Sequence, residues 1–183
     1  MFKLRGWSTL DGMFDKLIDL LIDFLELFQF WVVIDEYERG VCKTLGKRRR
    51  KNPVLDPGFH FVFPLGIDEV LVDNVVPTVD AFEEQSLTTK DGKSITLSAV
   101  VMWSISDVEK ILFEVEDSDS ALSEATCGII GEIVAETEWA EVHKPIFKST
   151  IERRVRSRVK KWGIKVHSVQ FKNLTQSRAI RLL

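Results

Sequence analysis

The chain opens on a helical rhythm, passes into alternation, and returns to a helical rhythm before a last strand. From Leu17 to Ile34 the run LIDLLIDFLELFQFWVVI holds fourteen apolar residues in eighteen. At roughly 100° per residue, Leu17, Leu20, Leu21, Phe24, Leu25, Leu27, Phe28, Trp31 and Val32 fall within an arc of about 160°. Asp15, Lys16, Asp19, Asp23, Glu26 and Gln29 occupy the other side. This pattern predicts an amphipathic helix over residues 11–34. Its length alone would allow a membrane span. Insertion gains about 0.3–0.6 kcal/mol per large apolar residue and loses about 3 kcal/mol per central acid, so Asp19, Asp23 and Glu26 cancel the gain. A helix lying flat, its apolar face in the lipid interface and Trp31 serving as an interfacial aromatic, avoids that cost. The face could instead pack on this domain or on a neighbouring subunit. Against lipid stands the acidic polar side, where only Lys16 would attract anionic head groups.

Beyond Ile34 the segments shorten and glycine and proline punctuate them. A strand is expected from Glu38 to Gly46, then a hairpin tip at Lys47-Arg48-Arg49-Arg50-Lys51 and a turn at Asp56-Pro57-Gly58. Strands Phe59–Phe63 and Ile67–Val75 follow. The clearest strand is Ile95–Ile105, in which Ile95, Leu97, Ala99, Val101, Trp103 and Ile105 alternate with smaller or polar residues. The Asp91-Gly92 pair before it is a hairpin signal and predicts antiparallel pairing with residues 85–89. Helices are then expected from Asp107 to about Val115, from Ser120 to about Ala135, and from Ile146 to Trp162, the last stopped by Gly163. A strand at Ile164–Phe171 closes the domain, and Thr175 reads as the N-cap of a further helix. Strands first, helices next and one returning strand imply an α+β fold, a largely antiparallel sheet with packed helices. The expected divisions are residues 1–34, 35–174 and 175–183.

Composition adds limits. With 45% hydrophobic and 29% charged residues and five prolines, the chain has no long segment of disordered character. A net charge of −3 leaves any attraction to phosphate with local clusters. Cys42 and Cys127 lack disulfide or zinc spacing, and the N-terminal stretch lacks a signal-peptide cleavage site, so a reducing compartment is expected. No phosphate loop, metalloprotease helix or serine-nucleophile motif occurs, and His60, His143 and His167 stand apart in sequence. No catalytic residue, metal or cofactor is therefore expected; an enzyme would need His60 or His143 to converge with Cys127 or an acid.

Two basic clusters remain. Lys47, Arg48, Arg49, Arg50 and Lys51 form a block able to reach lipid head groups or a partner. Along the third helix Lys144, Lys148, Arg153, Arg154, Arg156, Arg158, Lys160 and Lys161 face only Glu152. In a ring of identical subunits, Arg153, Arg154, Arg156, Arg158, Lys160 and Lys161 could meet the acidic N-terminal helix face or the Glu114-Glu116-Asp117-Asp119 run of a neighbour. A plain solvated surface is the alternative; nucleic acid is not expected, because few aromatics are interleaved.

The ordered set Glu38-Arg39-Gly40-Val41, Leu45-Gly46, Pro57-Gly58-Phe59-His60-Phe61, Phe63-Pro64, Thr88-Thr89-Lys90-Asp91-Gly92, Thr137-Glu138-Trp139-Ala140-Glu141 and Trp162-Gly163-Ile164 resembles the stomatin, prohibitin and flotillin-like (SPFH, band 7) family over roughly residues 36–180. The resemblance implies a non-catalytic domain with a membrane-attached N-terminus, and the reducing compartment expected from the cysteines puts it on the cytoplasmic side. The resemblance also implies self-assembly into rings or cages, organisation of membrane patches, and in some members restraint of a membrane protease or channel. Acylation of Cys42 is a further implied possibility, against the commoner buried, inert thiol. Two features depart from the family pattern. Residues 11–34 contain acids and no proline where relatives carry a clean span or a proline-bearing hairpin, and the long coiled coil that usually follows is not in this sequence.

Overall fold

A computed structural model of the chain describes residues 16–22 and 30–177. It divides into two compact units, one up to Val72 and one from Asp73.

In the N-terminal unit residues 16–22 are helical (α1) and exposed. Six strands follow: β1 (Trp31–Ile34), β2 (Glu38–Thr44), β3 (Lys47–Arg48), β4 (Val54–Leu55), β5 (Gly58–Phe61) and β6 (Asp68–Asn74), the last running across the division. The expected helix therefore does not reach Ile34. The aromatic and β-branched residues Trp31-Val32-Val33-Ile34 favour the pleated conformation, and β5 supplies an antiparallel partner for every one of them. Phe24, Leu25, Leu27 and Phe28 lie outside the described residues. The hairpin tip also moves. Leu45 and Gly46, at φ 52° and 73°, make a two-residue turn of the kind that matches strand twist, so Lys47 and Arg48 are already strand, paired with Thr44 and Lys43. A small core of Ile34, Cys42, Leu55 and Val70 holds the unit together. Gly40 is part of it, since a Cβ there would stand 2.7 Å from Ile34 Cδ1 and 3.0 Å from Val70 Cγ1.

In the C-terminal unit β9 (Ser94–Ile105) is central. It pairs along one edge with β10 (Ile164–Gln176) and along the other with β7 (Thr78–Ala81) and β8 (Gln85–Thr88), all antiparallel. All six inward positions from Ile95 to Ile105 are buried, as the alternation requires. The β8–β9 turn closes through Thr89, whose hydroxyl donates to Asp91 Oδ1 at 2.6 Å, with Gly92 at φ 77°. The helices are α2 (Val108–Glu114), α3 (Ser118–Glu136), α4 (Trp139–Val142) and α5 (Pro145–Val159). Asp107 and Asp117 cap α2 and α3 through their carboxylates. Phe147, Ile151, Val155 and Val159 form the buried stripe of α5, which packs on β10 and α3. A short 3-10 turn extends α5 to Trp162, and Gly163 ends it in the left-handed conformation. One expectation fails at the end: Thr175 and Gln176 are strand residues opposite Thr96 and Ile95, not a helix cap, because β9 offers backbone partners that far along. The observed class is α+β with antiparallel sheets, as the pattern of elements implied.

Candidate functional site: an apolar face and a cationic cavity

Strand register builds an unusual surface on the N-terminal unit. Trp31 lies opposite Phe61 and Val33 opposite Phe59, so these four side chains share one face of the β1–β5 ribbon. That face is solvent-facing: Trp31 is 49% exposed, Val33 62%, Phe59 56% and Phe61 76%. Phe59 and Phe61 meet edge to face at 5.0 Å. The opposite face carries the buried Ile34 and the half-buried Val32 and His60. The exposed surface is thus the outer side of a ribbon whose inner side forms the core.

The apolar surface continues into the loop after β5. Asp68 holds this loop, its carboxylate accepting from the Phe63 backbone at 3.1 Å and from the Thr44 hydroxyl at 2.6 Å. Phe63 and Leu65, left 63% and 58% exposed, line with Trp31 and Pro64 a groove of about 310 Å³. Soluble chains seldom expose contiguous apolar patches of this kind unless the patch meets lipid or protein.

Beside Phe61 lies a larger cavity of about 650 Å³, lined by Arg49, Lys51, Val54, Asp56, His60 and Phe61 among others. The Arg49 backbone is anchored by its N–H to Cys42 O at 3.1 Å. His60 Nε2 lies 2.6 Å from the Asp56 carbonyl, which can only accept, so this nitrogen carries a proton. The Asp56 carboxylate is paired with Arg39 Nε at 3.2 Å.

Of the residues singled out from the sequence, Leu17, Leu20 and Leu21 are exposed on the described part of α1, together with Ile18 and Ile22. Exposure there is not confined to one helical face. Trp31 stays exposed, but on a strand. The basic block splits: Lys47 and Arg48 lie on β3, Arg49 is half-buried, and Arg50 and Lys51 are exposed. The α5 cluster splits too. Arg156 donates from Nε to Val166 O at 3.0 Å and from Nη2 to His167 O, tying α5 to β10. Arg154 pairs with Glu136 at 3.3 Å and reaches Glu132 at 4.0 Å on α3. Arg153, Arg158, Lys160 and Lys161 are exposed, with Lys161 over the Trp162 ring. In the acidic run, Asp117 is spent as the α3 cap, which lowers its pKa, whereas burial and then Asp80 raise that of Asp119.

The histidines and cysteines each have other company. His143 stacks edge-on against Trp139, and His167 Nε2 bonds the Ser104 hydroxyl at 2.9 Å. Burial pushes both thiols up, Cys42 within the core and Cys127 beside Ser123 and Gln85, so both are held in the weakly nucleophilic protonated form. Among the described residues no group of three His, Cys, Asp or Glu side chains could hold a metal, and no helix is long and apolar enough to cross a membrane.

Sequence reasoning missed the β1–β5 face. Its signal was present, since Trp31, Val33, Phe59 and Phe61 are large and apolar at period two, but the helical period of the preceding residues overran Trp31 and Val32.

Residues 32–181 match the model of the SPFH domain / Band 7 family. The chain is 29% identical over 157 residues to an uncharacterized protein of Archaeoglobus fulgidus, covering 85% of this chain and 61% of that one. It is 34% identical over 110 residues to the protein HflK of Vibrio cholerae, covering 60% and 27%. With a stomatin homolog of Pyrococcus abyssi it shares 25% over 165 residues, covering 89% and 60%. The chain thus spans less than two thirds of the length of each of these three relatives.

Proposed function

The chain belongs to the SPFH domain / Band 7 family, and from that premise we propose that it is a non-enzymatic, membrane-associated scaffold that self-assembles into a ring or cage and organises membrane patches or membrane proteins. The observation that carries the proposal is the exposed Trp31, Val33, Phe59 and Phe61 face. Burying a large apolar side chain completely is worth about 1.5–3 kcal/mol, so four that are about half exposed or more would gain roughly 4–6 kcal/mol on entering lipid. That is millimolar to sub-millimolar attachment for one copy, before immobilisation costs. Lasting attachment at this strength needs several copies linked together, which multiplies the gain without new contacts. Weak attachment per subunit and self-assembly therefore belong together. The exposed cations Arg153, Arg158, Lys160 and Lys161 on or just after α5 are the residues left for contact with the acidic surface of a neighbouring copy. Two free thiols fit the cytoplasmic side of the membrane.

Co-flotation with liposomes, combined with mass determination, tests this. The intact chain should float as a large oligomer, and Phe59→Ser/Phe61→Ser should remain folded and stay in the soluble fraction. A Leu20→Asp/Phe24→Asp/Phe28→Asp variant reports separately on the N-terminal segment. If the intact chain does not float, the scaffold proposal fails. The second reading, a peripheral regulator that restrains a membrane protease or channel, would then be marked by assembly only in the presence of that partner.

A further inference from the structure

The cavity beside Phe61 combines two chemistries that a simple anion site would not need. Its lining combines the cations Arg49 and Lys51 with His60 and with Asp56, whose carboxylate is already offset by Arg39, and adds the apolar Pro53, Val54 and Phe61. Among the described residues neither Arg49 nor Lys51 forms an ion pair; the Arg49 side chain reaches the Cys42 thiol, and Lys51 is exposed. A volume of about 650 Å³ lies within the range of small-molecule sites and far exceeds what a lone inorganic anion fills. Phe61 belongs both to the wall of this cavity and to the exposed β1–β5 face. Cations thus sit at the margin of an apolar surface, the same stratification as phosphate above acyl chains.

We propose that this cavity holds the phosphate of an anionic lipid head group, Arg49 and Lys51 contacting the phosphate oxygens while Phe61 leads towards the acyl chains. A guanidinium presents two parallel N–H groups to a phosphate, and an ammonium adds a mobile point charge. The inference rests on the membrane-facing reading of the β1–β5 face and adds a head-group preference to it. The same phosphate chemistry could come from a soluble phosphate ester, so the two sources must be separated.

The test uses the full chain and vesicles of phosphatidylcholine alone or with about one third phosphatidylglycerol, which gives an anionic surface that attracts nearby cations. The expected result is a roughly tenfold stronger partitioning to the anionic vesicles, lost in Lys51→Gln and restored in Lys51→Arg. Arg49→Gln should behave like Lys51→Gln; because Arg49 is half-buried, the exposed Lys51 variant keeps the test sound if that one misfolds. Arg50→Gln is the decisive control: it removes the same charge from the same loop outside the cavity. Equal loss in Arg50→Gln and Lys51→Gln would mean diffuse attraction and overturn the site. Competition by millimolar glycerol phosphate with no preference for anionic vesicles would assign the cavity to a soluble ester and overturn the lipid source. Flotation on neutral vesicles without any anionic preference would remove this inference and leave the scaffold proposal standing. Absence of flotation on both would remove both.

Discussion

Replacement of Gly163 by alanine tests how the C-terminal unit is joined. Gly163 sits at φ 81° and ψ 15°, and a Cβ there would stand 2.4 Å from the backbone oxygen of Asp107 and 3.0 Å from its Cβ. The left-handed conformation alone costs a non-glycine residue about 1–2 kcal/mol. Relieving the contact requires the backbone to move by about 1 Å to reach ordinary van der Waals separation. The Gly163 carbonyl accepts from Ser106 N at 2.8 Å, Asp107 N at 3.1 Å and the Ser106 hydroxyl at 2.8 Å, and Asp107 O itself accepts from Ile111 N at the start of α2. Weakening two of these bonds costs about 1–3 kcal/mol more. The expected loss is therefore about 2–5 kcal/mol, a large part of the stability of a domain. Gly92→Ala is the matched control, because Gly92 has φ 77° with nothing within 4 Å of its would-be Cβ. It should lose only the conformational part, about 1–2 kcal/mol. Urea unfolding followed by Trp fluorescence gives both values, and hydrogen exchange at the Ile111 amide reports on the α2 end. A loss in Gly163→Ala no greater than in Gly92→Ala would refute the steric reasoning.

Other substitutions have similarly local readouts. Gly40→Ala overpacks the core around Ile34 and Val70 and should cost about 1–3 kcal/mol, seen as faster exchange in β2 and β4 with the C-terminal unit unchanged. Arg156→Gln removes the tie from α5 to β10 and should cost about 1–2 kcal/mol in chemical denaturation, whereas Arg153→Gln should stay within about 0.5 kcal/mol and act, if at all, on oligomer size in sedimentation. The Thr89 hydroxyl and then the Trp139 backbone N–H lower the Asp91 pKa to about 2, so the charge of Asp91 favours the folded state above the ordinary carboxylate range and that contribution is lost as pH falls towards 2. Asp91→Asn should accordingly melt earlier than the parent protein near neutral pH. Thermal unfolding across the acid range should show the gap closing below about pH 4 and absent near pH 2; a gap independent of pH would contradict the assignment.

By itself the sequence determined the order and type of most elements, because their signals are local. Alternation at Ile95–Ile105, the Asp91-Gly92 turn, the stripe Ile151, Val155 and Val159, and the terminating Gly163 each depend on residues a few positions apart. The ordered motifs from Glu38 to Ile164 likewise identified the family. The tertiary structure decided what depends on a distant partner. Trp31–Ile34 is a strand because β5 pairs with it, and Thr175 is strand because β9 extends to meet it. Arg154 and Arg156 make intrachain contacts because α3 and β10 bring acceptors to them, contacts that their spacing in a cationic run does not reveal. The juxtaposition of Trp31 and Val33 with Phe61 and Phe59, and of Phe61 with Arg49 and Lys51, is likewise set by strand register. Periodicity records which face a side chain occupies along its own segment, whereas register between distant segments decides which side chains share a surface.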